Sequence, residues 1–402
     1  MSLFRKSLFP VILVAAFLAV FGVGFWVGRE QVVCEICPPQ NVNFSLFWEA
    51  WQKLQEKYVD PTKFNTENMI YGAISGMVNS LDDPYTVFFN PDESKAFLED
   101  VSGRFEGVGM EIGSKNNQLQ VIAPLEGTPA EKAGLRPGDK IVKINDTFTT
   151  NLTIDEAVKL IRGPQGTEVA LSILREGWNA PKEFKIRRAL IEVPSLKTDM
   201  ISSSGQANGE KDIAYIKLYQ FSENASYDFT RAALDILNSP AKKIILDLRS
   251  NPGGYLEIAK NIAGWFLEKG QTVVIEDFNN RQKQVIYAAE GNSKISHYPL
   301  VVLINEGSAS ASEILAAALR DNRSIKLIGT TSYGKGSVQE LESLNKGSSL
   351  KITVADWLTP KGAKITGVGL KPDIEVQLTE EDYQNNKDPQ LDKALEIIKE
   401  LK

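Results

Sequence analysis

The chain has 402 residues, 43% of them hydrophobic and 24% charged, with a formal net charge of −6. That length exceeds one ordinary core and predicts two or three domains, and the composition excludes a disordered chain. The acidic balance excludes a nucleic-acid partner, because phosphate binding needs a basic surface.

Residues 1–30 read as a signal-anchor transmembrane segment. Arg5 and Lys6 precede an uncharged run, Leu8 to Val27, closed by Arg29-Glu30 and long enough to cross a bilayer. A cleaved signal peptide has a shorter apolar region followed by a small-x-small site, and none follows Val27 before Glu30. Positive residues ahead of the span predict a single-pass protein of the cell membrane with its bulk outside the cytoplasm. Cys34 and Cys37 are the chain's two cysteines, too few for a metal site and without the strand-helix context of a redox pair. They read as a local or intersubunit disulfide, or as two idle thiols. Pro38-Pro39 begins a stalk, and residues 31–100 read as stalk and N-terminal helical region. Phe47, Trp51, Leu54 and Tyr58 mark one amphipathic helix there, and Ile70, Ile74, Met77 and Leu81 a second. Asp60-Pro61 separates the two, Asp82-Asp83-Pro84-Tyr85 closes them as a turn, and a surplus apolar face suits a homodimer partner.

Residues 101–190 form the next unit. Gly107-Val108-Gly109-Met110 is followed by alternating Leu119 and Val121, the turn Gly134 to Asp139, a strand Ile141 to Ile144, a helix Ile154 to Ile161 and the alternating Val169, Leu171, Ile173. This order resembles a PDZ domain. The resemblance implies that Gly107, Val108, Gly109 and Met110 offer backbone N–H groups to a C-terminal carboxylate while the peptide adds as a strand beside them. The basic cluster Lys185-Ile186-Arg187-Arg188 at the end of the unit reads as one solvated strand face.

Residues 191–380 alternate strand-like runs (Ile213 to Leu218, Lys243 to Leu248, Leu300 to Ile304, Ile325 to Ile328, Leu350 to Ala355) with helical ones (Ala225 to Asn238, Leu256 to Lys269, Glu313 to Arg320). The pattern predicts an α/β layered core whose sheet is covered on both faces. After Leu300 to Ile304 comes a small-residue turn, Asn305 to Glu313, holding Ser308, Ser310 and Ser312. Such a turn can carry a nucleophilic hydroxyl beside the unpaired N–H groups of a helix start, or its serines can simply cap the helix. The one histidine, His297, enters the strand at its opposite end and is poorly placed to serve as base. Lys335, between Gly334 and Gly336 after another core-type strand, is the next candidate, and Gln339 four residues on is placed to orient its amine. A lysine base must be buried to be neutral.

Ser308-Ala309-Ser310-Ala311-Ser312-Glu313-Ile314 with Gly334-Lys335-Gly336-Ser337-Val338-Gln339 resembles the C-terminal processing peptidases, or tail-specific proteases, whose serine and lysine form a catalytic dyad. The resemblance implies Ser310 as nucleophile, Lys335, 25 residues later (335 − 310), as base, and Gln339 as the residue that positions the lysine. Asp247 to Gly254 is similar to the family's glycine loop, which implies an oxyanion hole from the Ala311 N–H and that of Gly253 or Gly254. It also implies a crotonase/Clp-protease-like fold for the layered core, and terminal regions that pair in a dimer. Residues 381–402 contribute a last amphipathic helix, Leu391 to Leu401, either swapped into a partner or a polar end.

The whole reads as a membrane-anchored serine endopeptidase without cofactor or metal, its catalytic part extracytoplasmic, which takes unstructured, apolar protein tails through its PDZ domain and cuts near their C-termini. The rivals are a PDZ adaptor that has lost its chemistry and a crotonase-like acyl-CoA enzyme.

Overall fold

A computed structural model of the chain describes residues 14, 16–22, 42–115, 118–125, 127–136, 138–150, 152–202, 211–379, 381, 382, 385 and 387–401. Most of Leu8–Val27 and all of Cys34, Cys37 and Pro38-Pro39 lie outside these residues, and among those described no helix is long and apolar enough to cross a membrane. The chain divides into two compact units, 1–70 and 71–402.

In the first unit, the helix Ser45–Lys57 lines up the aromatic rings of Phe47, Trp48 and Trp51, and Trp51 meets Phe64 edge-on at 5.6 Å. The Asp60 side chain accepts from Thr62 N and starts a 3-10 turn at Pro61, the break expected between the two helices. The second helix, Thr66–Asn79, begins in this unit and continues into the next.

That helix buries a different stripe from the one the sequence suggested. Tyr71, Ile74 and Val78 turn inward, Tyr71 against Phe88, while Ile70, Met77 and Leu81 stay exposed. Hydrophobicity names the apolar residues, but the packed neighbour decides which of them is covered. A further helix, Pro91–Ser102, starts on an Asn90–Glu93 capping box and stops at Gly103, whose φ of 73° suits a left-handed cap.

The PDZ-like unit is a sheet ordered Met110–Lys115, Gln118–Pro124, Lys140–Ile144, Glu168–Leu174, Lys182–Arg187, with the helix Ile154–Ile161 packed on it. Alternation along Glu168–Leu174 is strict: Val169, Leu171 and Ile173 are fully buried and their neighbours are not. The solvated face expected of Lys185 to Arg188 holds for Lys185 and Arg187 but not for Arg188. Arg188 is buried and donates to the carbonyls of Leu160, Ile161 and Glu168, satisfying the end of the 154–161 helix.

The peptidase-like core is a six-stranded sheet in the order Leu196–Ile201, Ile213–Leu218, Lys243–Asp247, Leu300–Ile304, Lys326–Gly329, Ile374–Glu375, parallel except for the first strand. The continuous apolar runs have a simple cause. Ile244, Leu246, Val302 and Ile304 face the helices Ala225–Leu237, Leu256–Phe266 and Ala311–Arg323, whereas Ile245, Val301 and Leu303 face the C-terminal helix Pro389–Glu400. That last helix, expected to be swapped or a polar end, buries Ala394 and Ile398 on its own sheet. A second, antiparallel sheet was not foreseen. In it Ser349–Leu358 pairs with Val87–Phe89, Thr272–Asp277 and Ser337–Ser343, and Val285–Ala288 lies at the edge.

Candidate active site

Ser310 ends the turn that follows Leu300–Ile304 and precedes the helix Ala311–Arg323. Its backbone sits at φ 54°, ψ −116°, a strained region for a residue with a Cβ, costing about 1–3 kcal/mol. The three serines of the run differ in their partners. Ser308 Oγ donates to Leu248 O at 2.8 Å and Ser312 Oγ to Asn251 O at 2.9 Å, both fully buried, while Ser310 Oγ donates to no group among the described residues and faces only the Glu313 N–H of its own capping box. The outer two stitch the serine turn to the glycine loop, and the middle hydroxyl opens into a cavity of about 410 Å³.

The glycine loop lies directly against Ser310. A Cβ at Gly253, whose φ is 102°, would meet Ala309 O at 2.7 Å and Ala311 N at 3.0 Å, so only glycine fits. Gly253 N already donates to Asn251 Oδ1 at 2.9 Å, whereas the N–H groups of Gly254 and Ala311 have no partner among the described residues. Asn305 holds the same loop from below, accepting from Ser250 N at 2.7 Å.

Lys335, Gln339, Gly253, Gly254 and Ala311 line the same cavity as Ser310. The Lys335 amine has no ion pair among the described residues and stands 5.6 Å from the centre of the Tyr85 ring. Burial pushes it below the ordinary lysine range, and Glu313 acts weakly in the opposite sense. Gln339 donates to Ser337 Oγ at 2.7 Å, so its amide rests on a neighbour in its own strand rather than on the lysine. His297 is exposed ahead of the strand, with the five-residue strand of about 16 Å between it and the serine turn, and its ring packs tilted against Tyr298.

Glu313 was not singled out from the sequence. Buried to 1% exposure, it accepts from Ser310 N (2.9 Å) and Lys335 N (3.0 Å) with Oε2, and from Ser332 Oγ (2.6 Å) and Gly334 N (2.7 Å) with Oε1. One carboxylate thus ties the serine turn to the lysine loop. Its place three residues after Ser310 has capping-box spacing, a signal that was legible. Lys351 was also missed. It lines the cavity over the rings of Phe89 and Phe97, and burial together with Lys335 lowers its pKa.

Gly107, Val108, Gly109 and Met110, expected to form a carboxylate loop, line a separate groove with Val158, Ile161 and Arg162. Gly109 has φ 76° with no room for a Cβ against Thr128, and the carbonyls of Val108 and Gly109 are taken by Ala130 N and Leu125 N. Met110–Lys115 is the edge strand of its sheet, open to pairing by an extended peptide.

A strained serine at the carboxyl end of a parallel sheet, with unpaired helix-start N–H groups and a desolvated amine in one cavity, has the layout of a serine hydrolase. The comparisons narrow the class. Residues 212–376 match the model of peptidase family S41, residues 120–175 that of a PDZ domain, and residues 35–93 that of the activating protease CtpB N-terminal domain. The carboxy-terminal processing protease CtpA of Bacillus subtilis is 35% identical over 375 residues, covering 93% of this chain and 78% of that protein. The carboxyl-terminal-processing protease of Synechocystis sp. is 39% identical over 332 residues, 82% of this chain and 76% of its own. Among solved structures, the photosystem II D1 C-terminal processing protease superposes with a TM-score of 0.51 at 30% identity, over 83% of this chain and 92% of that one. The chain belongs to the carboxy-terminal processing proteases of peptidase family S41 and is a serine peptidase with a PDZ domain.

Proposed function

We propose that the chain is a membrane-anchored endopeptidase that takes unstructured protein C-terminal tails in its PDZ groove and cuts near their ends with a Ser310–Lys335 dyad. The observation that carries this reading is the contrast within the serine run: Ser308 and Ser312 are committed to backbone carbonyls, while Ser310 is strained, donates to no neighbour and shares one cavity with a half-buried lysine.

Ser310 Oγ attacks the scissile carbonyl while the neutral Lys335 amine takes its proton. The tetrahedral oxyanion accepts from the N–H groups of Ala311 and Gly254; the bond from Gly253 N to Asn251 favours Gly254 for this role. The lysine then gives its proton to the leaving amine, and water hydrolyses the acyl-serine by the same steps in reverse order. Gln339 steadies the lysine once a substrate displaces its bond to Ser337. The apolar run Leu8 to Val27 behind Arg5 and Lys6 supports a single-pass anchor with the catalytic part extracytoplasmic, and the exposed aromatic face of Ser45–Lys57 supports a homodimer.

The test incubates the chain without residues 1–30 with an unfolded, apolar-tailed protein and sequences the products. Wild type releases C-terminal fragments, and Ser310→Ala releases none while keeping its fold and its tail binding. Turnover by Ser310→Ala would move the nucleophile elsewhere in the run, and tail binding without cleavage by wild type would favour the adaptor.

A further inference from the structure

Arg249 sits at the root of the glycine loop with every guanidinium donor used. Nε and Nη2 reach Asp247 at 3.0 and 2.7 Å, Nη1 and Nη2 reach the two Asp388 oxygens at 2.8 Å each, and the second Nη1 hydrogen goes to Gln390 Oε1 at 3.1 Å. Asp247 is fully buried and also receives the Tyr215 hydroxyl. Asp388 comes from the far end of the chain. It caps the C-terminal helix by accepting from Leu391 N at 2.9 Å, and that helix is clamped at its other end by Lys243 Nζ on the carbonyls of Ile398 and Lys399. One residue beyond Arg249, Ser250 holds φ 57° and donates to Asn305; two beyond, Asn251 receives Ala309 N and Ser312 Oγ and orients Gly253. The loop is therefore pinned from the serine side by short local bonds, from the sheet by Asn251 Nδ2 on Leu218 O and by Phe221 N on Gly253 O, and from the C-terminal helix by the bidentate Arg249–Asp388 pair with Gln390 beside it.

We propose that Asp388 is a positioning residue for the peptidase reaction: through Arg249 it fixes the loop that lies against Ser310, which makes the C-terminal helix a working part of the catalytic centre. The inference rests on the Ser310 reading above. A bidentate guanidinium–carboxylate pair fixes both distance and plane, so it sets orientation where a single bond would set only distance. Burial alone would raise the Asp388 pKa, yet the Arg249 bonds outweigh it and hold the carboxylate below its usual range. An oxyanion donor displaced by about 1 Å loses most of its effect in the transition state and little in the ground state.

The informative variant is Asp388→Ser, because serine still caps the helix while losing Arg249. Steady-state cleavage of a peptide should show kcat reduced on the order of ten- to a hundredfold with KM nearly unchanged. Inhibition by a peptide boronate, which makes a tetrahedral adduct on the serine, should weaken by the same factor. Lys243→Met, which frees the other end of the helix without touching Arg249, should keep wild-type kcat at a matched loss of Tm. Wild-type kcat in Asp388→Ser overturns the proposal, and so does an equal kcat loss in Lys243→Met, which would mark the effect as general loosening. Should Asp388→Ser fail to fold, Asp388→Asn, which caps the helix and keeps one acceptor for Arg249, carries the same readouts. Ser310→Ala run in parallel separates the two claims: if it still cleaves, the nucleophile assignment falls, whereas an inactive Ser310→Ala beside a fully active Asp388→Ser sinks only the positioning role.

Discussion

At Ser310 the backbone strain and a hydroxyl that donates to no neighbour fall on the same residue, and both persist because neighbours on each side are fixed. Lys335, proposed as the base, has the complementary problem, since a base must spend time neutral. Burial lowers its pKa and Glu313 partly reverses this, so the active, unprotonated fraction declines as pH falls through the lysine pKa. Wild-type kcat/KM should accordingly fall on the acid side along a one-proton limb, and the limb should survive in His297→Ala. Lys335→Arg keeps the charge but cannot take a proton, so it should be nearly as inactive as Lys335→Ala; near wild-type cleavage by the arginine variant would end the dyad model. Glu313→Gln puts an NH2 group where two donors converge. Two buried donors lose their acceptor, and thermal unfolding should register a loss of about 1–3 kcal/mol. Any activity that remains should show its acid limb at lower pH, because the carboxylate that favoured the protonated lysine is gone.

Among the elements, the edge strand Met110–Lys115 and the loop before it carry the substrate prediction. If Gly107 to Met110 hold a terminal carboxylate, amidating a tail removes a charged hydrogen-bond acceptor worth roughly 1.5–3 kcal/mol, or about tenfold to a hundredfold in affinity. Competition binding should show that loss, and changes in the middle of the tail should cost far less. Equal binding of free-acid and amidated tails would end the capture model and leave the peptidase untouched.

For the whole molecule, the sheet at the centre is covered on both faces by one chain, with the C-terminal helix closing the second. The catalytic unit therefore carries its own core, and the proposed anchor adds location rather than stability. Fractionating cells that express the full chain should place it in the membrane pellet through carbonate washing, and removing residues 1–30 should release an active enzyme. Full-length chain in the soluble fraction would refute the anchor.

Hydrophobic period and punctuation determined the parallel core strands, the helices packed on them and the PDZ-like order, because burial on one or two faces writes itself into the residue types every second or every third to fourth position; the antiparallel sheet around Ser349–Leu358 and the helix Pro91–Ser102 were not legible that way. The resemblance carried by Ser308 to Ile314 and Gly334 to Gln339 determined the family. What only the tertiary structure decided are contacts between distant segments: which serine of three donates to no carbonyl, that Gly253 N is occupied, that Glu313 joins the serine and lysine loops, and that Asp388 reaches Arg249. Residues of the same type in one run are equivalent by composition. They differ only in which carbonyl, amide or guanidinium the fold brings within 3 Å, and that depends on strands and helices as far apart in the chain as Arg249 and Asp388.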